Sequence, residues 1–226
     1  MFPFRNETKT AGFPLVTTLI IALCVAVFLG GQVYGSGFFR QKGLVPVDFM
    51  YAVFHPSKGL LEAAAMLFAS FFMHGGIMHL AGNMWYLWLF GPPLEDRIGR
   101  LSFALLYSAC GVVSMLIQTA SVPLSNTPIV GASGAIAGIM GCNLVLLPFA
   151  RLACYFPPLF IFRIPAFIFL LLWFWIQYIN VTSGNAEATM VAWWAHIGGY
   201  LTGAIAGLGL LAHLRSAPIR SGAKKR

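Results

Sequence analysis

The sequence predicts an all-α integral membrane protein in which six apolar helices form a bundle. Hydrophobic residues make up 59% of the 226 residues and charged residues only 9%, whereas about 25% of the residues in soluble domains are charged. The mean hydropathy is +0.81. Six separate stretches also approach the roughly 20 mostly apolar residues that a membrane-spanning helix needs.

The six predicted spans are joined by short connections, apart from one long loop. They cover residues 13–31, 75–93, 101–121, 131–149, 161–179 and 191–213. The long first outer loop, residues 32–74, contains a shorter apolar patch, Leu60–Phe72, which we interpret as a membrane-associated, interfacial or re-entrant element. The chain therefore divides into an N-terminal segment 1–12, a six-helix membrane domain 13–213 and a basic tail 214–226.

The basic residues predict that both termini lie in the cytoplasm, because loops on that side of a membrane carry an excess of Lys and Arg. With this orientation, 11 of the 14 basic residues lie inside and 3 outside. The inner set is Arg5, Lys9, Arg97, Arg100, Arg151, Arg163, Arg215, Arg220, Lys224, Lys225 and Arg226, and the outer set is Arg40, Lys42 and Lys58. The net charge of +8 thus reports topology and contact with anionic lipid, and no nucleic-acid partner is needed to explain it.

Polar side chains are costly within a bilayer, so those inside the predicted spans are candidates for function. Span 2 has His74, His79 and Asn83 in the run 74-HGGIMHLAGN-83. Span 4 has Ser133 in 131-GASG-134, and span 6 has His196 in 195-AHIGGYLTG-203. All five lie near the outer ends of their spans in the predicted topology.

Their depths in the membrane are similar. His79 lies 14 residues before Pro93, or roughly 21 Å along a helix. This places His79 roughly 9 Å below the outer surface of a core about 30 Å thick. Pro128 and Gly131 predict that the fourth helix begins near Ser133, so that the stretch from Ser133 to Leu147 has only 15 residues. This places Ser133 roughly 8 Å below that surface.

Two stripes of small residues predict that spans 4 and 6 pack closely, because glycines let helix backbones approach each other in lipid. The stripes are Gly134, Gly138 and Gly141 on span 4 and Gly199, Gly203 and Gly207 on span 6. His196 precedes Gly199 by three residues and Ser133 adjoins Gly134. Contact between the stripes would therefore bring the hydroxyl and the imidazole together.

This combination of residues suits acyl transfer. A serine becomes a nucleophile when a base takes its proton, and His196 could serve Ser133 in this way. The only acidic residue nearby, Glu187, lies in an outer loop, so we expect a Ser-His dyad. The developing oxyanion needs donors, for which we expect the Ser133 backbone N–H at the helix N-terminus and the side chains of His79 and Asn83.

Each residue also has a simpler interpretation. A lone serine in a span usually serves packing, a lone histidine near a helix end usually lies at the interface, and Asn83 alone would join helices. His74 is expected to shape the loop or the entry of water. Zinc is not expected, because His74 and His79 are five residues apart and the sequence has no HExxH motif. The four cysteines form no CxxC pair, so we expect them to be buried thiols. We expect neither a metal nor a cofactor.

The ordered motifs resemble those of the rhomboid family of intramembrane serine proteases. The resemblance covers about residues 10–213 and is carried by GASG at 131–134, HGGIMHLAGN at 74–83, AHIGGYLTG at 195–203 and 95-EDRIG-99. It implies that Ser133 is the nucleophile, that His196 is the general base, and that His79, Asn83 and the Ser133 amide form the oxyanion hole. It also implies single-span membrane proteins as substrates, cut beside an easily unwound helix, with span 5 and loop 180–192 as gate and cap.

Two positions depart from the family pattern. The first loop, including 62-EAAAMLFASFFMHGG-76, has no Trp-Arg pair. The aromatic residue that commonly follows the nucleophile by four positions and stacks on the catalytic histidine is replaced here by Ala137. We therefore expect His196 to be held differently, by Trp193 or Trp194, and the activity to be lower.

The preferred hypothesis is thus an intramembrane serine endopeptidase in the inner membrane of a bacterium. The alternative is a catalytically silent rhomboid-like protein that binds membrane clients, and such relatives usually lack the serine or the histidine. A small transporter is a third hypothesis, but it would need a coupling site at the midplane of the membrane, and the sequence shows no charged residue for one. The sequence does not determine the oligomeric state.

Overall fold

The computed structural model describes residues 1–35, 37–55, 59–158, 160–183 and 191–216. Helix α1 (Leu15–Tyr34) is followed by three shorter helices, α2 (Phe38–Lys42), α3 (Pro46–Phe54) and α4 (Leu60–Ser70). The bundle is completed by α5 (Ile77–Ile98), α6 (Arg100–Ser121), α7 (Ser133–Leu146), α8 (Ala166–Thr182) and α9 (Trp193–Ser216). The predicted bundle of six main helices is confirmed. Outside the described residues lie Lys58, Glu187, most of the predicted cap 180–192 and the basic tail after Ser216.

The helices differ in how well they could span a bilayer alone. Among the described helices, α1, α6 and α9 are long and apolar enough to do so. Helices α7 and α8 have 14 and 17 residues, or roughly 21 and 25 Å, less than the roughly 30 Å of a hydrocarbon core. The first residue of α7 is Ser133, where Pro128 and Gly131 predict that the helix begins.

A small antiparallel sheet, which the sequence did not predict, packs against the bundle. Its strands are β1 (Phe2–Asn6), β2 (Arg151–Phe156) and β3 (Phe160–Pro165), in the order β1-β2-β3. The assignment of residues 161–165 to the fifth span was therefore wrong. Hydropathy does not distinguish an apolar strand from an apolar helix, and this aromatic, β-branched run favours a strand that ends at Pro165, the extended N-cap of α8.

Strand β1 brings the N-terminal segment against α5. The indole of Trp85 donates a hydrogen bond to the Pro3 carbonyl at 2.9 Å, and its ring stacks on Phe2 with centroids 5.3 Å apart. Arg163 on β3 forms an exposed ion pair at 2.8 Å with Glu7, the residue that follows β1. The hydrogen bond from Arg163 lowers the pKa of the Glu7 carboxyl.

Helix α7 is the centre of the bundle. All of its residues from 134 to 143 are buried, and α5, α6, α8 and α9 surround it. The predicted glycine contact is present: a Cβ added at Gly199 would overlap the Gly134 carbonyl, and one at Gly203 would overlap the Gly138 carbonyl. The two backbones therefore touch along α7 and α9. The four cysteines are free and buried, as predicted.

Buried polar side chains join the helices at defined points. The Glu95 carboxylate on α5 accepts hydrogen bonds from the backbone N–H groups of Val16 and Thr17 at 2.9 and 2.8 Å, and so caps the N-terminus of α1. The Asn143 amide on α7 donates to the Phe90 carbonyl on α5 at 3.1 Å. These two residues set the positions of α1 and α7 relative to α5.

We expect Gly203→Ala to destabilise the protein, because the new methyl group would overlap the backbone of α7. Overpacking of this kind typically costs about 1–3 kcal/mol of unfolding free energy. The change would be measured as a lower midpoint of unfolding in detergent, followed by circular dichroism.

The matched control is Gly209→Ala on the same helix, where an added Cβ meets nothing within 4 Å. Alanine favours a helix over glycine, so this variant should unfold at the same midpoint or slightly above it. Equal destabilisation by both substitutions would contradict the close contact of α7 and α9.

Candidate active site

A cavity of about 300 Å³ opens at the end of the bundle where α5, α7 and α9 begin. Four of the residues singled out in the sequence line it: Ser133, His196, His79 and Asn83. The rest of its wall is largely apolar and includes Met78, Tyr86, Ile136, Met140 and Trp173. None of the described residues in the wall is a carboxylate, a lysine or an arginine.

Ser133 and His196 are in direct contact within this cavity. The Oγ of Ser133 lies 2.9 Å from Nε2 of His196. The serine is the first residue of α7, and the histidine lies in the first turn of α9. The glycine contact just below them lets the two helices come close enough for this hydrogen bond.

His79 and Asn83 lie on one face of α5, one turn apart, opposite the start of α7. Gly131 packs against them, since an added Cβ there would lie 2.8 Å from Nε2 of His79 and 3.7 Å from Nδ2 of Asn83. Its φ of +129° also favours glycine. Asn83 is buried, and its Nδ2 makes no hydrogen bond to the described residues, so a buried donor borders the cavity.

His74 lies behind His79. The two imidazole rings meet edge to face with centroids 5.1 Å apart, and Nδ1 of His74 lies 3.3 Å from the Phe72 carbonyl. His74 is fully buried. It can therefore fix the position of the His79 ring, whereas we expected it to shape the loop or the entry of water.

Gln177 is a site residue that the sequence analysis missed. Its Oε1 lies 2.8 Å from Nδ1 of His196, on the opposite side of the ring from Ser133. Its Nε2 donates to the Trp173 carbonyl at 3.1 Å within α8, and the side chain is buried. A glutamine in an apolar helix is itself costly, so the signal that identified His79 and Asn83 was also present here.

Gln118 was missed as well. Its Oε1 on α6 accepts a hydrogen bond from the Ala195 backbone N–H at 3.1 Å. The first N–H groups of a helix have no partner within that helix. Gln118 therefore caps α9 beside His196 and helps to fix where this helix begins.

Two tryptophans flank the His196 ring. The Trp193 ring meets it at 86° with centroids 5.9 Å apart, and the Trp173 ring lies 5.7 Å away at 42°. Trp193 is one of the two residues that we expected to replace the missing aromatic at position 137, whereas Trp194 is 42% exposed. Ala137 is completely buried within α7.

The arrangement combines a hydroxyl, a base in contact with it and a helix N-terminus on one side of an apolar cavity. A nucleophile, a base and nearby donors are what an acyl transfer requires. Within the described ranges, no three histidine, cysteine or carboxylate side chains come together as a metal ion would require.

Comparison with known proteins gives a consistent result. Residues 62–213 match the family model for the rhomboid domain, which is more than half of the chain. Rhomboid protein 1, mitochondrial, of Saccharomyces cerevisiae is 29% identical over 159 residues, 66% of this chain and 43% of that protein. Presenilin-associated rhomboid-like protein, mitochondrial, of Homo sapiens is 28% identical over 202 residues, 82% of this chain and 46% of that protein.

A bacterial relative also matches. Rhomboid protease GluP of Bacillus subtilis is 31% identical over 146 residues, 62% of this chain and 27% of that protein. The matches thus span less than half the length of each of these three relatives.

Proposed function

The chain belongs to the rhomboid family, and from this premise we propose that it is an intramembrane serine endopeptidase. The observation that carries the proposal is the 2.9 Å contact between Ser133 Oγ and His196 Nε2 inside the apolar cavity. The similarity to rhomboid protease GluP of Bacillus subtilis adds support. The contact supports catalysis over the alternative of a silent client-binding protein, which would have no use for a base beside a serine.

The proposed reaction begins when Ser133 Oγ attacks the carbonyl carbon of the scissile peptide bond. Its proton passes to Nε2 of His196 as the new C–O bond forms. The tetrahedral intermediate collapses by breaking the C–N bond, and the imidazolium returns the proton to the leaving amine. Water then attacks the acyl-serine with His196 again as the base, which releases the acid and restores the serine.

The negative oxygen of the intermediate needs hydrogen-bond donors fixed in advance. We assign this role to three groups on two helices. The Ser133 backbone N–H lies at the N-terminus of α7, where the helix dipole favours negative charge. The Nδ2 of Asn83 is a buried donor without a partner among the described residues, and His79 lies beside it in the cavity wall.

The proposed substrates are single-span membrane proteins. A chain that reaches this cavity has to leave its helical hydrogen bonds, because a regular helix keeps its carbonyls paired. The resemblance to the rhomboid family implies a small residue next to the cleaved bond. We also propose that α8 and the loop that follows it act as gate and cap, although residues 184–190 of that loop lie outside the described residues.

We expect Ser133→Ala to abolish cleavage of a single-span reporter, because the Ser133 hydroxyl is the group that forms the acyl intermediate. Cleavage would be measured with purified protein in liposomes by the appearance of the two fragments. Expression and the unfolding midpoint should stay unchanged, since Ser133 contributes only a hydroxyl.

A fluorophosphonate probe separates catalysis from client binding without knowledge of the natural substrate. The wild-type protein should form a covalent adduct at Ser133, and Ser133→Ala should not. Ser114→Ala is the control, since the Ser114 hydroxyl is buried and donates to the Gly111 carbonyl on its own helix. Cleavage that persists in Ser133→Ala, or a wild type that neither reacts nor cleaves, would refute the proposal.

We expect Asn83→Leu to lower kcat about 100-fold or more with little change in KM, because an oxyanion donor acts mainly in the transition state. The measurement is steady-state cleavage of the same reporter. Asn126→Leu is the matched control, because it is the same substitution at an exposed position in the loop between α6 and α7. An equal loss in both variants would remove Asn83 from the oxyanion hole.

We also propose that both termini are cytoplasmic and that the protein lies in a bacterial inner membrane. Lys9→Cys should therefore react with a membrane-impermeant maleimide only after bacterial cells are permeabilised. Tyr34→Cys, at the other end of α1, should react in intact cells. Both positions are exposed, and the four native cysteines are buried, so the wild type serves as the blank; the reverse pattern would invert the topology.

A further inference from the structure

The two nitrogens of the His196 ring have different partners. On one side, Nε2 lies 2.9 Å from the hydroxyl of Ser133. On the other side, Nδ1 lies 2.8 Å from Oε1 of Gln177. A serine hydroxyl can either donate or accept a hydrogen bond, so it is compatible with both tautomers of a neutral imidazole. The partner at Nδ1 therefore decides which tautomer is present.

The orientation of the Gln177 amide is set by its own helix. Its Nε2 donates to the Trp173 carbonyl at 3.1 Å. A flipped amide would face that carbonyl with its oxygen and lose the bond, because neither oxygen carries a proton. Oε1 is thus directed at His196, and an amide oxygen accepts only. Nδ1 must carry the proton, which leaves the lone pair of Nε2 free to accept the proton of Ser133.

Among the described residues, the other aromatic rings that contact His196 cannot perform this task. The indoles of Trp173 and Trp193 flank the ring, but an indole has a donor and no hydrogen-bond acceptor. They can restrict the orientation of the His196 ring, but they cannot select its tautomer. Gln177 is only 5% exposed, so water has little access to compete for Nδ1.

We propose that Gln177 is the positioning residue that keeps His196 in the Nδ1-protonated form. It takes the place that a carboxylate holds in a Ser-His-Asp triad. This inference rests on the proposed function of the Ser133–His196 pair. A neutral amide supplies the required acceptor without placing a charge in a membrane-embedded site, where an ionised carboxylate would be costly.

The position of Gln177 also links the gate to the chemistry. Ser133 and His196 lie on α7 and α9, whereas Gln177 lies on α8. An outward movement of α8 would separate Oε1 of Gln177 from Nδ1 of His196, and the imidazole could then adopt either tautomer. His196 is thus fixed in the Nδ1-protonated form only when α8 is packed against α9. The Tyr200 hydroxyl on α9 donates a hydrogen bond to the Leu170 carbonyl at 3.2 Å and holds α8 in this position.

The test compares two variants of Gln177 with a matched control on another helix. Gln177→Met keeps the length of the side chain and removes the acceptor. Gln177→Glu keeps an acceptor oxygen whether the carboxyl is ionised or protonated. Gln32→Met is the control, because it is the same substitution at an exposed position of α1. We expect Gln177→Met to lower kcat at least about tenfold with KM unchanged, Gln177→Glu to recover most of the loss, and Gln32→Met to have no effect.

A second measurement reads the tautomer directly. Nitrogen-15 NMR of the histidine side chains, with the His196 signals assigned by their loss in His196→Gln, should show Nδ1 protonated in the wild type. In Gln177→Met the two tautomers should mix. The same experiment in Ser133→Ala should still show Nδ1 protonated, because Gln177 is retained. This measurement does not require activity, so it tests Gln177 even if the wild type fails to react with the fluorophosphonate probe.

The outcomes separate the two proposals. A wild type that does not react with the probe refutes the protease, whatever the tautomer. A reactive wild type whose tautomer and kcat are unchanged in Gln177→Met overturns the role of Gln177. If Gln177→Met unfolds, Gln177→Glu decides: an unchanged tautomer with kcat near the wild type supports the proposal, and a mixed tautomer in this folded variant overturns it.

Discussion

The contact between the backbones of α7 and α9 is the constraint on which the rest of the site depends. Glycines at 134 and 138 face glycines at 199 and 203 so closely that a methyl group on α9 would overlap the carbonyls of α7. In lipid, such contacts provide van der Waals packing where the hydrophobic effect between helices is absent. Because the backbones touch, the short side chain of Ser133 reaches His196.

Polar side chains then fix what the glycine contact alone would leave free. Small residues allow two helices to slide and rotate, whereas a hydrogen bond between helices has one register. Glu95 holds α1 against α5, Asn143 holds α7 against α5, and Gln118 holds the start of α9 against α6. Each of these groups would be costly in hydrocarbon without its partner. The same hydrogen bonds between helices therefore stabilise the bundle and align the site.

The departures from the sequence-based fold concern elements for which hydropathy is a poor guide. Residues 161–165 include Ile161, Phe162 and Ile164 and directly precede an apolar helix, yet they pair with β2. Strand β1 pairs with residues about 150 positions away in the chain, and nothing in the segment 1–12 indicates that partner. A local pattern can show that a stretch is buried or lipid-facing, but strand pairing depends on which distant edge is available.

The sequence by itself determined the helical membrane bundle, the late start of α7 at Ser133 and the residues Ser133, His196, His79 and Asn83 that border one cavity. Each of these follows from length, helix breakers, or the cost of a polar group in lipid, which are properties of one segment at a time. Only the tertiary structure decided that Gln177 faces Nδ1 of His196 and that Gln118 caps α9. The partner of a buried polar group depends on how neighbouring helices are rotated, and that rotation is set by packing between segments.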